Sequence, residues 1–291
     1  TNLFMKNIYL NIYKPNKKNL LKAKKNIESN NIIGMPTETV YGLAGNAYSH
    51  QSVKKIFTLK KRPNFNPLII HYKNIKSLKK DAMLNSSFTK LYKNFCPGPI
   101  TFVLKKNPKS KISYKATARK NTIAVRFPKH RIARKLLSLL KFPLAAPSAN
   151  ISSKLSPTSS DDVVDEFKNK IEFILDGGKS KIGLESTIID LTSTPKILRP
   201  GFITPEKISK ILKKKIKINK KVKKIKSPGQ LKSHYSPGIP VVIGKKTPKK
   251  DEAVIGFGKK FKIKKNHFNL SKNGNLKEAA NNLYKTMRKI K

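Results

Sequence analysis

Cysteine occurs once in this chain, at Cys96. A single thiol excludes a disulfide framework within the chain. No Cys/His cluster has metal-ligand spacing, and the context reads as reducing, so a cytoplasmic location is expected. No apolar run approaches the roughly 18 residues of a membrane-spanning helix. The N-terminus lacks the apolar core of a signal peptide, and no membrane partner is expected. Acidic residues are scarce too, 15 against 65 Lys and Arg, for a net charge of +50.

That charge has two readings. It suits nucleic acid or another anionic surface. It also suits drift towards AT-rich codons, because Asn and Ile are abundant alongside Lys. Arginine is the rare cation, seven of the 65 basic residues. In a chain that accepts Lys so freely, a retained Arg points to work that needs a planar, bidentate fork. Arg62 (KKRP), Arg126 (TIAVRFP) and Arg199 (ILRPG) each follow or end an expected strand, one or two residues before a proline, where loops leave a sheet and sites collect. Arg119, Arg131, Arg134 and Arg288 fall in a polar loop or on amphipathic helices, where a surface role is expected.

The 291 residues have room for one large domain or two modest ones. Apolar periodicity predicts helices over 16–30, 49–60, 131–140 and 161–167, and another that starts at Thr204-Pro205, a cap followed by proline. Strands are expected at 31–35, 67–72, 99–105, 122–127, 143–146, 171–175, 186–191 and 196–198. Strands and helices mix without strict βαβ alternation. The expected fold class is therefore α/β in the α+β sense, one mixed twisted sheet rather than a doubly wound one.

Composition changes after Leu212. Residues 1–212 are expected to be the catalytic domain and 213–238 a linker, in which SPGQLKSHYSPGIP carries His234 and Tyr235 between prolines. That linker either folds back onto the site or is a surface loop. Strands at 240–243 and 253–257 and a helix from about Asn275, with Leu276, Ala279, Ala280, Leu283, Met287 and Ile290 apolar, read as a partial second α/β domain over 239–291.

Five short constellations carry the chemistry: PTETVYGL, KKRPNFNPLIIHY, PLAAPSANISSKLSPT, GLESTIIDL and ILRPG. Each alone also reads as an ordinary turn, cap or solvated helix end. Together they put hydroxyls, amides and cations at strand ends, with few carboxylates. Glu38 and Glu185 are read as structural.

In these motifs and their order the chain resembles the threonylcarbamoyl-AMP synthases of the YrdC-like family, in the long two-domain form. The likeness runs over about residues 16–207 and continues through SPGQLKSHYSP. It departs from the family pattern at Ser152-Ser153, where glycine is usual, at Gln230, where methionine is usual, and in lacking the glycine-rich C-terminal end. The resemblance implies an enzyme that joins L-threonine, bicarbonate and ATP into threonylcarbamoyl-adenylate and pyrophosphate. A downstream threonylcarbamoyl transferase would then act on tRNA, itself a further candidate contact. It implies Lys60, Arg62, Ser148 and Asn150 as catalytic. Lys60 and Arg62 would meet the triphosphate, Arg199 a phosphate or the adenylate, and Asn66, Thr122, Ser148 and Ser156 the nucleotide. Arg126 would take the threonine carboxylate, with Thr37, His71 and Ser186 around the threonine and bicarbonate. Tyr235, with His234, would close over the nucleotide. Mg²⁺ is expected to come with ATP, held by phosphates and water. Two other readings stay open: an RNA-binding module of the same fold, and a relative that transfers carbamoyl groups from carbamoyl phosphate.

Overall fold

The computed structural model describes residues 11–218, 225, 227–229, 235–244 and 248–290. The chain opens with Ile12–Tyr13 (β1), Lys17–Glu28 (α1), Ile33–Met35 (β2), Gly42–Asn46 (β3), His50–Leu59 (α2) and Ile69–His71 (β4). Next come Ile75–Leu78 (α3), Ala82–Met83 (β5), Ser86–Phe95 (α4), Ile100–Lys106 (β6), Thr122–Arg126 (β7), Arg131–Leu139 (α5) and Leu144–Ala145 (β8). Ser160–Phe167 (α6), Ile174–Leu175 (β9), Thr187–Asp190 (β10), Lys196–Arg199 (β11), Pro205–Leu212 (α7) and Lys217–Ile218 (β12) follow. The tail holds Val254–Gly256 (β13), His267–Asn269 (β14) and Leu276–Ile290 (α8).

Helix starts follow local chemistry. Asn16 and Ser49 accept hydrogen bonds from the amides of Asn19 and Ser52, capping α1 and α2. Ser159 and Asp162 form a reciprocal capping box on α6, and Thr204 caps α7 ahead of Pro205. Each such cap satisfies amides that the helix leaves unpaired, worth about 1 kcal/mol.

The main sheet has twelve strands in the order β1-β9-β2-β3-β8-β4-β7-β6-β10-β11-β12, with β5 paired to β6. Parallel pairs such as β4/β7 and β6/β10 stand beside antiparallel pairs such as β6/β7 and β10/β11. This is the mixed sheet that the sequence predicts. One face carries the larger core, where Ile70, Phe102 and Val125 meet Ile56 of α2, Phe88 of α4, Val163 of α6 and Ile208 of α7. On the other face α1 and α5 pack Ala23, Ile27, Leu136 and Leu137 over Ile33, Met35 and Ala44. Beside them on that face lies a small patch of Ile69, Val103, Ala124, Ile188 and Leu198, and the cleft opens there.

In the tail, β13 and β14 form a separate two-stranded parallel sheet. The strand expected at 240–243 is absent: Val241, Val242 and Ile243 are exposed, Ile243 at 94%, and belong to no strand. Apolar, β-branched residues fit a strand, but without a pairing partner there is no ladder to hold them. Leu276, expected on the apolar side of α8, is 76% exposed. The helix instead buries Ala279 and Tyr284. Tyr284 packs with Val40 and Leu155 of the main body, flanked by Leu184, Tyr235, Leu283 and Met287.

Candidate active site

Strand register builds the site. His71 of β4 pairs with Arg126 of β7, and Arg126 pairs with Thr101 of β6. Thr101 pairs with Ile188 of β10, and Ile188 with Arg199 of β11. Register partners share a face, with neighbouring strands about 4.8 Å apart. One row across the sheet therefore gathers residues from five distant segments. Between β10 and β11 the register shifts at Ile188/Ile189. This irregularity brings Arg199, rather than Leu198, beside Ile188. Bulges re-aim side chains in this way next to functional sites.

His71, Arg126 and Arg199 of this row line an open cleft, whose walls also include Thr37, Tyr41, Arg62, Ser148, Glu185, Ser186 and Pro228. Gly42 bridges to Ser148, so the hydroxyl loop and the PSAN loop meet at its rim.

At one end, Arg126 Nη2 donates to Glu38 Oε1 at 2.8 Å, while Glu38 Oε2 accepts from the amides of Lys129 and His130 at 2.9 and 3.2 Å. Burial pushes the Glu38 carboxyl up; the charge and hydrogen bond of Arg126, with backbone amides, outweigh it and hold it below its ordinary range. Glu38 thus orients Arg126 and occupies one of its arms. Arg126 Nε is buried without a partner. So are both ring nitrogens of His71, and burial, then the Arg126 charge, pull that imidazole well below its usual pKa. A neutral imidazole and a partly free guanidinium side by side invite a ligand, because buried polar groups are rarely left unpaired. Nearby, Ser186 Oγ lies 2.7 Å from Thr101 Oγ1. Thr37 Oγ1 donates to the Val40 carbonyl at 2.6 Å and lies 2.8 Å from Thr39 Oγ1, so Thr37 lines the cleft while Thr39 supports it.

The other end is cationic. Arg62 Nε donates to Asn66 O at 2.9 Å, and its Nη2 donates to Asn66 Oδ1 and Pro67 O at 2.8 and 2.7 Å. Arg199 Nη2 donates to Ser186 O at 2.8 Å and to Ser186 Oγ at 3.1 Å. Burial and the Arg199 charge bring Arg62 down to about 9, so it stays cationic at neutral pH. Two guanidiniums so close to each other repel, and an anion between them would relieve the repulsion.

Lys60 faces elsewhere. Its ammonium is buried and donates to Ser148 O at 2.5 Å and to the carbonyl of Asn150, and Lys60 is not among the cleft-lining residues. Its ammonium thereby clamps the PSAN loop. Asn150 turns its amide to the carbonyls of Ile151 and Lys154, holding the same loop. Asn66 reaches the cleft only through Arg62. Ser156 is buried and donates to Glu185. Thr122 opens β7 at the end away from Arg126, two residues before the Ala124–Ile69 pair and so on the Asn66–Pro67 side. Burial and then the Glu185 charge push the Tyr235 hydroxyl up in pKa, with the Arg199 charge opposing. Pro228 lines the cleft and Gly229, at φ +84°, lies so close over Arg199 that a Cβ there would sit 2.4 Å from its Cδ. Pro228, Gly229 and Tyr235, described residues of the segment read as a linker, therefore lie at the site. His234 lies outside the described residues.

Sequence reading missed Thr101, hidden in an apolar strand, and Tyr284, which reaches Glu185 from α8. It placed Arg288 on the surface, yet Arg288 Nη2 donates to the Leu155 carbonyl at 2.5 Å. Among the described residues no group of three or more His, Cys, Asp or Glu could hold a metal ion.

Sequence comparison gives this mixed-sheet fold a family. Residues 25–201 match the Sua5/YciO/YrdC family, described as "Telomere recombination". The chain belongs to this family. Residues 203–291 match "Threonylcarbamoyl-AMP synthase, C-terminal domain". Threonylcarbamoyl-AMP synthase of Pyrococcus abyssi is 45% identical over 225 residues, covering 75% of this chain and 65% of that protein. The Bacillus subtilis enzyme of the same name is 37% identical over 242 residues, covering 81% and 69%. This chain thus spans roughly two thirds of those relatives' length, just under it for the P. abyssi protein. The crystal structure of P. abyssi Sua5 complexed with L-threonine superposes with a TM-score of 0.85 at 35% identity, over 96% of this chain and 88% of that one. Escherichia coli YciO, with a TM-score of 0.60 at 22% identity, covers 68% of this chain and 97% of its own, and shares the fold.

Proposed function

We propose that the chain is an L-threonylcarbamoyladenylate synthase. In this reading it makes threonylcarbamoyl-AMP and pyrophosphate from L-threonine, bicarbonate and ATP. A downstream threonylcarbamoyl transferase then uses the product on tRNA. The supporting observation is the cleft's division into two ends. One offers unpaired nitrogens on His71 and Arg126. The other presents Arg62 and Arg199.

The first end suits an amino acid. Arg126, held by Glu38, offers its Nε to the threonine carboxylate. Ser186 and Thr37 supply hydroxyls, and neutral His71 can accept from an ammonium or donate to a carboxylate. Threonine's amine and bicarbonate form a carbamate with loss of water, and exclusion of bulk water from the buried row favours it. A carbamate oxygen then attacks the α-phosphorus of ATP, the bond to the β-phosphate bridging oxygen breaks, and pyrophosphate leaves. Chemistry of this kind depends on positioning and neutralised charge. Arg62 and Arg199 supply the charge, Ser148 an added donor at the rim. Lys60 and Asn150 act through the PSAN loop. Asn66, Thr122, Ser156 and Tyr235 belong to the nucleotide side, with Pro228 and Tyr235 closing over it.

Mg²⁺ enters with ATP as part of the substrate. Glu38 and Glu185 are engaged with Arg126 and with hydroxyls, and among the described residues no acidic or His/Cys group could hold the ion, so phosphates and water would hold it. In organisation, residues 1–212 make the catalytic unit, 213–238 the linker and 239–291 belong to a second domain.

The test is isotopic. Labelled bicarbonate should enter a product that also carries threonine and AMP, and only when ATP is present. Label that reaches a product without threonine would point to a different carbamoyl acceptor.

A further inference from the structure

Helix α8 comes from the far end of the chain, yet one face of it grips the nucleotide side of the cleft. Asn281, Tyr284 and Arg288 are spaced by three and four residues, and so share a face. Asn281 Nδ2 donates to Ser180 O at 2.7 Å, Tyr284 hydroxyl to Glu185 Oε2 at 2.8 Å, and Arg288 Nη2 to Leu155 O at 2.5 Å. The other oxygen of Glu185 accepts from Ser156 Oγ. Tyr235 stacks on Tyr284, ring centroids 5.5 Å apart, and Glu185 and Arg199 both act on its hydroxyl. Glu185 is thus a hub for three hydroxyls, and Tyr235 passes its hold on to a cleft-lining guanidinium. A buried carboxylate fixed by several donors transmits position well, because losing one donor leaves an acceptor unsatisfied.

We propose that Tyr284 is a positioning residue for the nucleotide: through Glu185 and Tyr235 it sets Arg199, so that docking of α8 and binding of the nucleotide are coupled. The inference rests on the synthase reading for its ligand. Coupling of this kind is reciprocal, so a bound nucleotide should in turn tighten α8.

The experiment measures binding of a non-hydrolysable ATP analogue and of L-threonine, separately, to the full chain by calorimetry. Tyr284→Phe keeps the ring and removes the hydroxyl. Its affinity for the analogue should fall roughly ten-fold, as expected for a lost hydrogen bond to a charged group, with threonine affinity within about two-fold of wild type. Tyr235→Phe should show the same selectivity. The double variant should be no weaker than the worse single one, since both act along one path. Met287→Ala, which removes packing beside Tyr284 but no hydrogen bond, should lower the melting temperature and leave the analogue's affinity unchanged. If Tyr284→Phe melts below the assay temperature, Glu185→Gln must show the nucleotide-selective loss. Wild-type analogue affinity in Tyr284→Phe or Glu185→Gln, full additivity in the double variant, or an equal loss in Met287→Ala overturns the proposal. A wild-type chain that binds no analogue at all overturns the synthase reading, and this inference with it.

Discussion

His71 and Arg126 are register partners on adjacent strands, both line the same cleft, and His71 keeps two buried nitrogens and Arg126 one without a partner. In the proposed reading this pair receives threonine. Arg126→Lys keeps a charge but loses the fork. Threonine affinity should fall by roughly ten-fold or more. Calorimetric titration with L-threonine checks it, and unchanged affinity would remove Arg126 from the amino-acid end.

Arg62 is tested on the nucleotide instead. Arg62→Lys cannot reproduce its simultaneous hold on Asn66 Oδ1 and Pro67 O. ATP-dependent turnover should fall at least ten-fold while threonine binding stays intact. A variant that turns over at the wild-type rate would show that charge alone suffices there.

Lys60 has a different signature, because it clamps carbonyls of the PSAN loop. Lys60→Met leaves two buried acceptors unpaired, at about 1–3 kcal/mol each. The melting temperature should drop clearly, and activity with it. A loss of activity with unchanged stability would return Lys60 to direct contact with phosphate.

Glu38 gives a pH prediction. Its folded-state pKa lies below its ordinary value. The stability it contributes is present above the unfolded value, about 4.3, and is lost as pH falls through the lowered folded value. Melting curves should show an acid limb that is flatter in Glu38→Gln than in wild type, where part of the fall comes from protonation of Glu38. Identical acid limbs would mean that Glu38 titrates alike in the folded and unfolded states.

Much of this was legible in the sequence wherever the determinant is local. Asn16, Ser49, Ser159 and Thr204-Pro205 mark helix starts by the side chains themselves, and the mixed sheet follows from the order of apolar runs. Arginine scarcity picked out Arg62, Arg126 and Arg199, and all three line the cleft. Long-range features were not legible. Nothing near Thr101 says that β6 will pair with both β7 and β10 to put its hydroxyl against Ser186. Tyr284 and Arg288 sit in an ordinary amphipathic helix until α8 is docked. Val241–Ile243 has strand composition without a partner, and composition does not supply one. Lys60 reads as a phosphate ligand from its motif; its hold on the Ser148 and Asn150 carbonyls depends on the path of the PSAN loop, which no local pattern gives.

The most direct test of the central claim is pyrophosphate release by the purified chain with MgATP, omitting L-threonine or bicarbonate in turn. The synthase reading predicts release that requires both, in step with formation of threonylcarbamoyl-AMP. Release that is indifferent to threonine, or to bicarbonate under carbon-dioxide-free conditions, would contradict it.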